Sequence, residues 1–326
     1  MDKILVPLDG SALAEQALPY AQLIAPLLDA SVRLIRVISY ADHQHLLASE
    51  QMMLAKGGPP PPLYVREQQA WKQLRTHAER YLAAQAALLR RAGVDVEAEV
   101  AVDLPAEAIV ENAARGDCAL IAMATHGYGG LSRWALGSIA DKVVQAAPAP
   151  VLLVRAAAGG PAAAPALRRI LVPLDGSALA EQALPLAATL AAETGAALLL
   201  LLVVEPSLGM ELGMPPRLRP DQALSLLRDR LMREADRVVG GLDRGHVSMT
   251  PLVAEGHPAE AIVDIAAQRH ADLIVMSTHG RSGLRRWALG SIADKVLHAT
   301  TTPLILIGAQ ASAGRSWEPR PPEEHA

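Results

Sequence analysis

The chain of 326 residues contains one cysteine, no phenylalanine and only 3% aromatic residues. A single cysteine, Cys118, excludes an intrachain disulfide framework and a cysteine-based zinc cluster, and it is typical of a reducing, cytoplasmic compartment. The scarcity of aromatic rings argues against a stacking platform for single-stranded nucleic acid. With 30 basic and 34 acidic residues the net charge is −4, so no overall basic excess indicates nucleic acid or an anionic membrane as a partner.

Long apolar runs are also missing. The most apolar segment, residues 196–204, is much shorter than the roughly 20 residues that a membrane helix needs. The apolar run after Met1 is too short for a signal peptide, so we expect a cytoplasmic protein with no membrane partner. The apolar fraction of 51% is nevertheless ample for packed cores, and the length predicts about two domains.

The chain contains an internal sequence repeat with two copies. The block ILVPLDGSALAEQALP occupies residues 4–19 and again residues 170–185. A second block, THGYGGLSRWALGSIADKV at 125–143, returns as THGRSGLRRWALGSIADKV at 278–296, an offset of 153 residues. Units of this length indicate a duplicated domain rather than a solenoid. We predict copy one at 1–155, an Ala/Gly/Pro linker at 156–167, copy two at 168–309 and a disordered tail at 310–326.

Strand and helix patterns alternate within each copy. In copy one they predict strands at 3–8, 32–38, 94–102, 118–124 and 151–154, helices at 12–28, 65–91, 106–114 and 136–146, and a loop between the second strand and Pro62. In copy two the patterns predict the first helix at 178–193 and the second and fourth strands at 197–204 and 273–277, and the remaining elements follow the same order. Such alternation predicts an α/β fold in which each copy has a five-stranded parallel sheet with helices on both faces.

Ligands of such folds bind beyond the carboxyl ends of the strands, where the two repeated blocks fall. Asp9 and Asp175 follow the first strands and are suited to accept from a ribose hydroxyl or to hold Mg²⁺ through water. Glycine-rich loops after the fourth strands lead to Gly-Ser at a helix start, where free backbone N–H groups favour an anion. Ser138 and Ser291 would cap that helix or donate to a phosphate. From the residues alone, phosphate binding and an ordinary turn with a helix cap stay equally open.

With these motifs each copy resembles a universal stress protein domain. The resemblance rests on the opening ILVPLDGS, the THG loop, the GSIADKV helix start and the closing strands PVLLV and PLILI, and it covers both copies. It implies a Rossmann-like five-stranded sheet that dimerises through its last strand. The ATP-binding branch of the family has Gly, two residues, Gly, nine residues and then Gly-Ser. The second glycine and the closing Gly-Ser of this pattern are present in both copies, but Ala124 and Ser277 replace the first glycine.

The resemblance also implies which residues contact a nucleotide. In copy one these are Pro7, Leu8, Asp9, Val37, Met123, Ala124, His126, Gly127, Gly130, Gly137, Ser138 and Ile139. In copy two these are Pro173, Leu174, Asp175, Val203, Met276, Ser277, His279, Gly280, Gly283, Gly290, Ser291 and Ile292. We predict neither a catalytic residue nor a metal-ligand set.

The function expected from the resemblance is a tandem, adenine-nucleotide-binding regulatory module of the stress response. ATP is the first choice of ligand, with AMP, cyclic AMP and a role for Mg²⁺ left open. Pairing of strands 151–154 and 304–307 would make a pseudo-dimer within one chain, and a further homodimer also stays open. Ala124 and Ser277 motivate the alternative of an interaction or scaffold protein that binds no nucleotide. A slow ATPase is a third alternative, although the sequence has no Walker aspartate.

Overall fold

A computed structural model describes residues 2–54, 62–125, 137–155, 165–205, 220–240, 247–278, 289–308 and 311. Copy one contains β1 (Asp2–Pro7), α1 (Leu18–Leu27), β2 (Ala30–Ile38), α2 (Tyr40–Leu54), α3 (Leu63–Arg91), β3 (Val96–Val102), α4 (Pro105–Ala113), β4 (Cys118–Thr125), α5 (Ser138–Ala146) and β5 (Val151–Arg155). Copy two contains β6 (Arg169–Leu174), α6 (Ala178–Glu181), α7 (Ala183–Thr194), β7 (Ala197–Val204), α8 (Pro220–Val239), β8 (Met249–Glu255), α9 (Pro258–Gln268), β9 (Leu273–Ser277), α10 (Ser291–Ala299) and β10 (Leu304–Ile307).

The strands form one continuous sheet in the order β3-β2-β1-β4-β5-β10-β9-β6-β7-β8. Strands within each copy pair in parallel, as the alternation predicts. Ile4 and Val6 pack into one apolar cluster and Leu5 into another, because successive side chains of a strand face opposite sides of the sheet. The predicted α/β fold is therefore confirmed. Among the described helices, none combines the length and the apolar character needed to cross a membrane.

The two copies join through their last strands. β5 and β10 pair antiparallel, in the register Val151 with Leu306, Leu152 with Ile305 and Leu153 with Leu304. Leu152 and Ile305 are 153 residues apart and hold the same position in the repeat, so an approximate twofold axis passes between them. Arg155 at the end of β5 reaches into copy two and donates from Nη2 to the carbonyl of His298 at 2.7 Å. The predicted pseudo-dimer within one chain is present.

The prediction of a loop between β2 and Pro62 was wrong, because α2 lies there. A reciprocal cap starts this helix: the Ser39 amide donates to Asp42 Oδ2 at 2.8 Å, and the Asp42 amide donates to Ser39 Oγ at 3.2 Å. His43, which we expected in the loop, is a buried residue of α2. Its ring stacks on Trp71 of α3 with centroids 4.2 Å apart, which fixes α2 against α3.

The first helix of each copy is interrupted where one helix was predicted. Copy one has a 3-10 turn over Ala14–Ala17 before α1, and copy two has the short α6 before α7. Pro19 and Pro185 have no N–H to donate to the carbonyls four residues earlier, at Glu15 and Glu181. The break therefore falls at the same place in both copies of an identical sequence.

A buried ion network lies near the amino ends of the copy-one strands. Arg33 is only 6% exposed and donates to Asp117 Oδ2 at 2.6 Å and to Asn112 Oδ1 at 3.1 Å. Lys3 Nζ lies 3.2 Å from the same Asp117 carboxylate. Burial acts to raise the pKa of Asp117, but hydrogen bonds and charge from Arg33 and Lys3 outweigh it and lower the pKa below its ordinary value. In copy two the residue matching Arg33 is Leu199, so this network belongs to copy one alone.

Candidate functional site

A cavity of about 290 Å³ opens at the carboxyl edge of the copy-two sheet. The ends of β6, β7 and β9, the start of α10 and one face of α8 enclose it. We call it the copy-two cavity. Its position at the strand ends is where open parallel sheets bind ligands, and its volume is near the lower end of ligand pockets, which span about 300–1,000 Å³.

Every predicted copy-two site residue that the structure describes lines this cavity. They are Pro173, Leu174, Asp175, Val203, Met276, Ser277, Gly290, Ser291 and Ile292. The predicted residues His279, Gly280 and Gly283 lie outside the described residues. The sequence motifs, far apart in the chain, thus come together around one space.

The turn after β6 fixes Asp175 at the mouth of the copy-two cavity. Asp175 Oδ1 accepts from the Ser177 amide at 2.9 Å, and Ser177 Oγ accepts from the Ala180 amide at 3.1 Å. Gly176 has a φ of +77°, a conformation that favours glycine. Asp9 accepts from the Ser11 amide at 2.9 Å in copy one, so the same turn is built twice.

The start of α10 points unpaired amides at the copy-two cavity. Ser291, Ile292 and Ala293 all line the cavity, and the first helical bond runs from the Asp294 amide to the Gly290 carbonyl at 2.9 Å. The three preceding amides therefore have no acceptor within the helix, and the helix dipole adds positive potential there. An anionic group of a ligand would be stabilised at this position.

The interpretation of Ser138 and Ser291 as helix caps was wrong. Each is the first residue of its helix, and the capping positions are Gly137 and Gly290, where no side chain makes a capping hydrogen bond. The Gly290 amide donates instead to the Thr278 carbonyl at 2.9 Å. That bond ties the start of α10 to the end of β9, and both elements line the copy-two cavity.

In copy one the predicted residues fall at the matching strand ends. Leu8, Val37 and Met123 are buried, and their side chains pack into the two apolar clusters of the core. Pro7 ends β1, Ala124 lies near the end of β4, and Gly137, Ser138 and Ile139 begin α5. Ile139 is 40% exposed, as is Ile292 in copy two. The predicted residues His126, Gly127 and Gly130 lie outside the described residues.

Sequence reasoning missed the wall that α8 contributes to the copy-two cavity. Leu227, Arg230, Leu231 and Glu234 line it together, and their spacing of three and four residues places them on one helix face. Arg230 Nε donates to Glu234 Oε1 at 2.9 Å. A pair of opposite charges four residues apart is common on exposed helices, so the sequence offered no signal that this pair faces a ligand.

Acidic side chains outnumber basic ones among the described residues that line the copy-two cavity. Asp175, Glu205 and Glu234 bring three carboxylates against the single guanidinium of Arg230. Carboxylates accept hydrogen bonds from hydroxyl and amino groups, whereas the α10 amides suit an anion. Within the described ranges no group of three or more His, Cys, Asp or Glu side chains is arranged to hold a metal ion. The cavity therefore offers carboxylate acceptors for the hydroxyl or amino groups of a ligand and, at the start of α10, amides for an anionic group.

Comparison with known proteins identifies relatives of both copies. The sequence model of the Universal stress protein family matches residues 1–155 and 166–308. A universal stress protein of Mycolicibacterium smegmatis is 26% identical over 305 residues, covering 93% of this chain and 96% of that protein. The universal stress protein MJ0531 of Methanocaldococcus jannaschii is 31% identical over 140 residues, covering 43% of this chain and 81% of its own length.

Solved structures match over the full tandem arrangement. A universal stress protein from Archaeoglobus fulgidus superposes with a TM-score of 0.62 at 18% identity, covering 93% of this chain and 97% of that chain. A putative universal stress protein from Pseudomonas aeruginosa superposes with a TM-score of 0.60 at 20% identity, covering 96% and 95%. At these identities the likeness establishes the fold alone.

Proposed function

The chain belongs to the universal stress protein family, and from this premise we propose that it is a tandem regulatory module that binds an adenine nucleotide. ATP is the proposed ligand, and a cytoplasmic role in the stress response is part of the proposal. The observation that carries it is the convergence of Asp175, Ser277 and the start of α10 on the copy-two cavity.

The groups that line the copy-two cavity suit the two ends of a nucleotide. The carboxylates of Asp175 and Glu205 would accept hydrogen bonds from ribose hydroxyls or from the amino group of the base. The unpaired amides of Ser291 and Ile292 would bind phosphate oxygens. Between these ends, aliphatic side chains such as Leu201 and Met276 would exclude water from the base.

Ser277 replaces the first glycine of the family's ATP pattern, and its position fits the proposal. It is the last residue of β9, 9% exposed, and lines the copy-two cavity without closing it. A small side chain at this position leaves space for a ligand in copy two. Ala124 holds the corresponding position in copy one and is smaller still.

The first experiment identifies what the purified chain carries. Gentle purification, denaturation and mass spectrometry of the supernatant would detect a released nucleotide, and calorimetry of the stripped chain with ATP, with and without Mg²⁺, would give its affinity. We expect an adenine nucleotide to be released or to rebind. A chain that releases none and binds none at millimolar concentration would overturn the proposal and favour the scaffold alternative.

A negative charge introduced at the helix start tests where the phosphates bind. Ile292→Glu places a carboxylate among the α10 amides, where it repels a phosphate but suits the helix dipole, so the fold should keep its stability. We expect this variant to lose ATP affinity in copy two. Ile139→Glu is the matched variant in copy one, and each should spare the other copy. Unchanged ATP affinity in both variants would place the phosphates elsewhere and contradict the site.

Methyl groups allow each copy to be monitored separately. Met276 and Ile292 line the copy-two cavity, and Met123 and Ile139 hold the matching positions in copy one. Carbon-13 labelling of methionine and isoleucine methyls would therefore report each site in the full chain. Inorganic phosphate release would be followed in the same samples to test the slow ATPase alternative.

A further inference from the structure

Arg230 lines the copy-two cavity with a side chain that is 57% exposed and paired with Glu234. Its Nε donates to Glu234 Oε1 at 2.9 Å, which anchors it to α8. Its Nη2 would be 3.9 Å from a β-carbon placed on Gly176, so the group reaches the turn after β6. The charge-assisted bond from Nε to the Glu234 carboxylate favours one orientation of the guanidinium plane.

Arg230 also carries the one cationic planar group among the described lining residues, and no aromatic ring is among them. The walls beside it are aliphatic, formed by residues such as Leu227, Leu231 and Ile262. A planar base in such a cavity would contact aliphatic groups on most sides. Guanidinium planes stack on aromatic rings and on bases, and they do so without a matching hydrogen-bond pattern.

We propose that Arg230, oriented by Glu234, stacks on the face of the ligand's purine ring and makes copy two selective for a planar base. This assignment rests on the proposed function, since it needs a nucleotide or nucleoside in the copy-two cavity. It adds to that function a specificity residue on α8.

Copy one lacks this element at the corresponding helix positions. With the offset of 153 residues that relates β3 to β8, Arg230 corresponds to His77 and Glu234 to Tyr81. The Tyr81 hydroxyl instead donates to Glu15 Oε1 at 3.0 Å. His77→Ala is therefore a matched control on the same helix face of the other copy.

The test separates stacking from charge and from phosphate contact. Full-length chain labelled at methionine and isoleucine methyls would be titrated with adenosine, AMP and ATP, and the Met276 and Ile292 signals would give the copy-two affinity. We expect Arg230→Ala and Arg230→Lys to weaken all three ligands by the same factor, about fivefold, because lysine keeps the charge but loses the plane. His77→Ala should leave the Met276 and Ile292 titrations unchanged.

Glu234 is tested as a positioning residue. Glu234→Gln keeps an acceptor for Arg230 Nε and should bind adenosine like the unmodified chain. Glu234→Ala releases the guanidinium and should weaken adenosine as Arg230→Ala does, and combining the two alanine changes should add little further loss. If Glu234 only stabilised the fold, Glu234→Ala would lower the free energy of unfolding, and its effect on adenosine affinity would not depend on whether Arg230 is present.

Each contrary result has a distinct meaning. If Arg230→Lys retains full affinity, or if the loss grows from adenosine to ATP, Arg230 acts through charge on the phosphates and the stacking assignment is overturned. If the unmodified chain binds adenosine and Arg230→Ala binds it equally well, the assignment fails while the proposed function stands. If no adenine ligand shifts Met276 or Ile292 in the unmodified chain, this assignment fails. If Met123 and Ile139 of copy one are also unshifted, the proposed function fails with it.

Discussion

Replacing Asp117 with asparagine should destabilise copy one, because it removes the carboxylate closest to the buried Arg33, at 2.6 Å, and leaves only the longer contact with Glu97, at 3.5 Å. The Arg33 side chain is 8% exposed and that of Asp117 is 32% exposed. Breaking a fully buried ion pair costs about 3–5 kcal/mol, and the partial exposure of Asp117 reduces this to about 2 kcal/mol. Chemical denaturation should show this loss at neutral pH, and hydrogen exchange should show faster opening of β2 and β4 than of β7 and β9.

A control for Asp117→Asn comes from the sequence of copy two. There Leu199 and Ile265 hold the positions of Arg33 and Asn112. The triple change Arg33→Leu, Asn112→Ile and Asp117→Asn removes the buried charge with its two closest partners. Glu97, whose side chain is 53% exposed, keeps its pair with Lys3, so we expect the stability to lie within about 1 kcal/mol of the unmodified chain. A triple variant as unstable as the single Asp117→Asn would refute the argument that the buried charge of Arg33, deprived of its closest carboxylate, is the cause.

The pH dependence supplies an independent check on Asp117. Its pKa is lowered in the folded chain, so its contribution to stability is present above the ordinary aspartate pKa, about 3.9, and is lost as the pH falls through the folded value. The difference in stability between the unmodified chain and Asp117→Asn should therefore shrink as the pH is lowered from 7 to 3. A difference that stays constant over this range would show that ionisation of Asp117 plays no part.

Four further changes test how the copies and helices are held together. Arg155→Ala removes the hydrogen bond to the end of α10 and should lower stability by about 1 kcal/mol in denaturant titrations, whereas an unchanged midpoint would contradict a role in the junction. Leu152→Ala and Ile305→Ala each empty a fully buried position at the β5–β10 axis and should each cost about 2–5 kcal/mol, and a loss confined to one of them would contradict their equivalence. Trp71→Ala removes the ring that stacks on His43 and should speed hydrogen exchange of α2 about fivefold, while α7 serves as the internal reference.

The sheet could be predicted closely from the sequence because its strands are buried on both faces. Runs such as those of β7 and β9 are almost wholly apolar, and the predicted bounds of these two strands agree with the structure. The helix α2 was missed because its apolar residues are spread around the helix instead of along one face. Its start was nevertheless marked in the sequence by Ser39 and Asp42, whose spacing is that of a capping box.

The site was predicted in part. Repeated blocks marked the strand ends and the helix start, so Asp175, Ser277 and Ile292 could be named before the structure. The α8 wall could not be named, because Arg230 and Glu234 have the spacing of an ordinary surface ion pair and no repeated motif marks α8. Only the packing of α8 against the strand ends shows which face of the helix borders the copy-two cavity.

Identical residues in the two copies do not have identical surroundings. Glu15 accepts from the Tyr81 hydroxyl and from Gln85 Nε2, both at 3.0 Å, whereas the matching Glu181 pairs with Arg237. The partners differ because they come from α3 and α8, which have diverged while the motif blocks have not. The duplicated blocks thus fix a common framework at the strand ends, and the long helix sets the chemistry beside it. Affinity measured at one copy is for this reason no measure of affinity at the other.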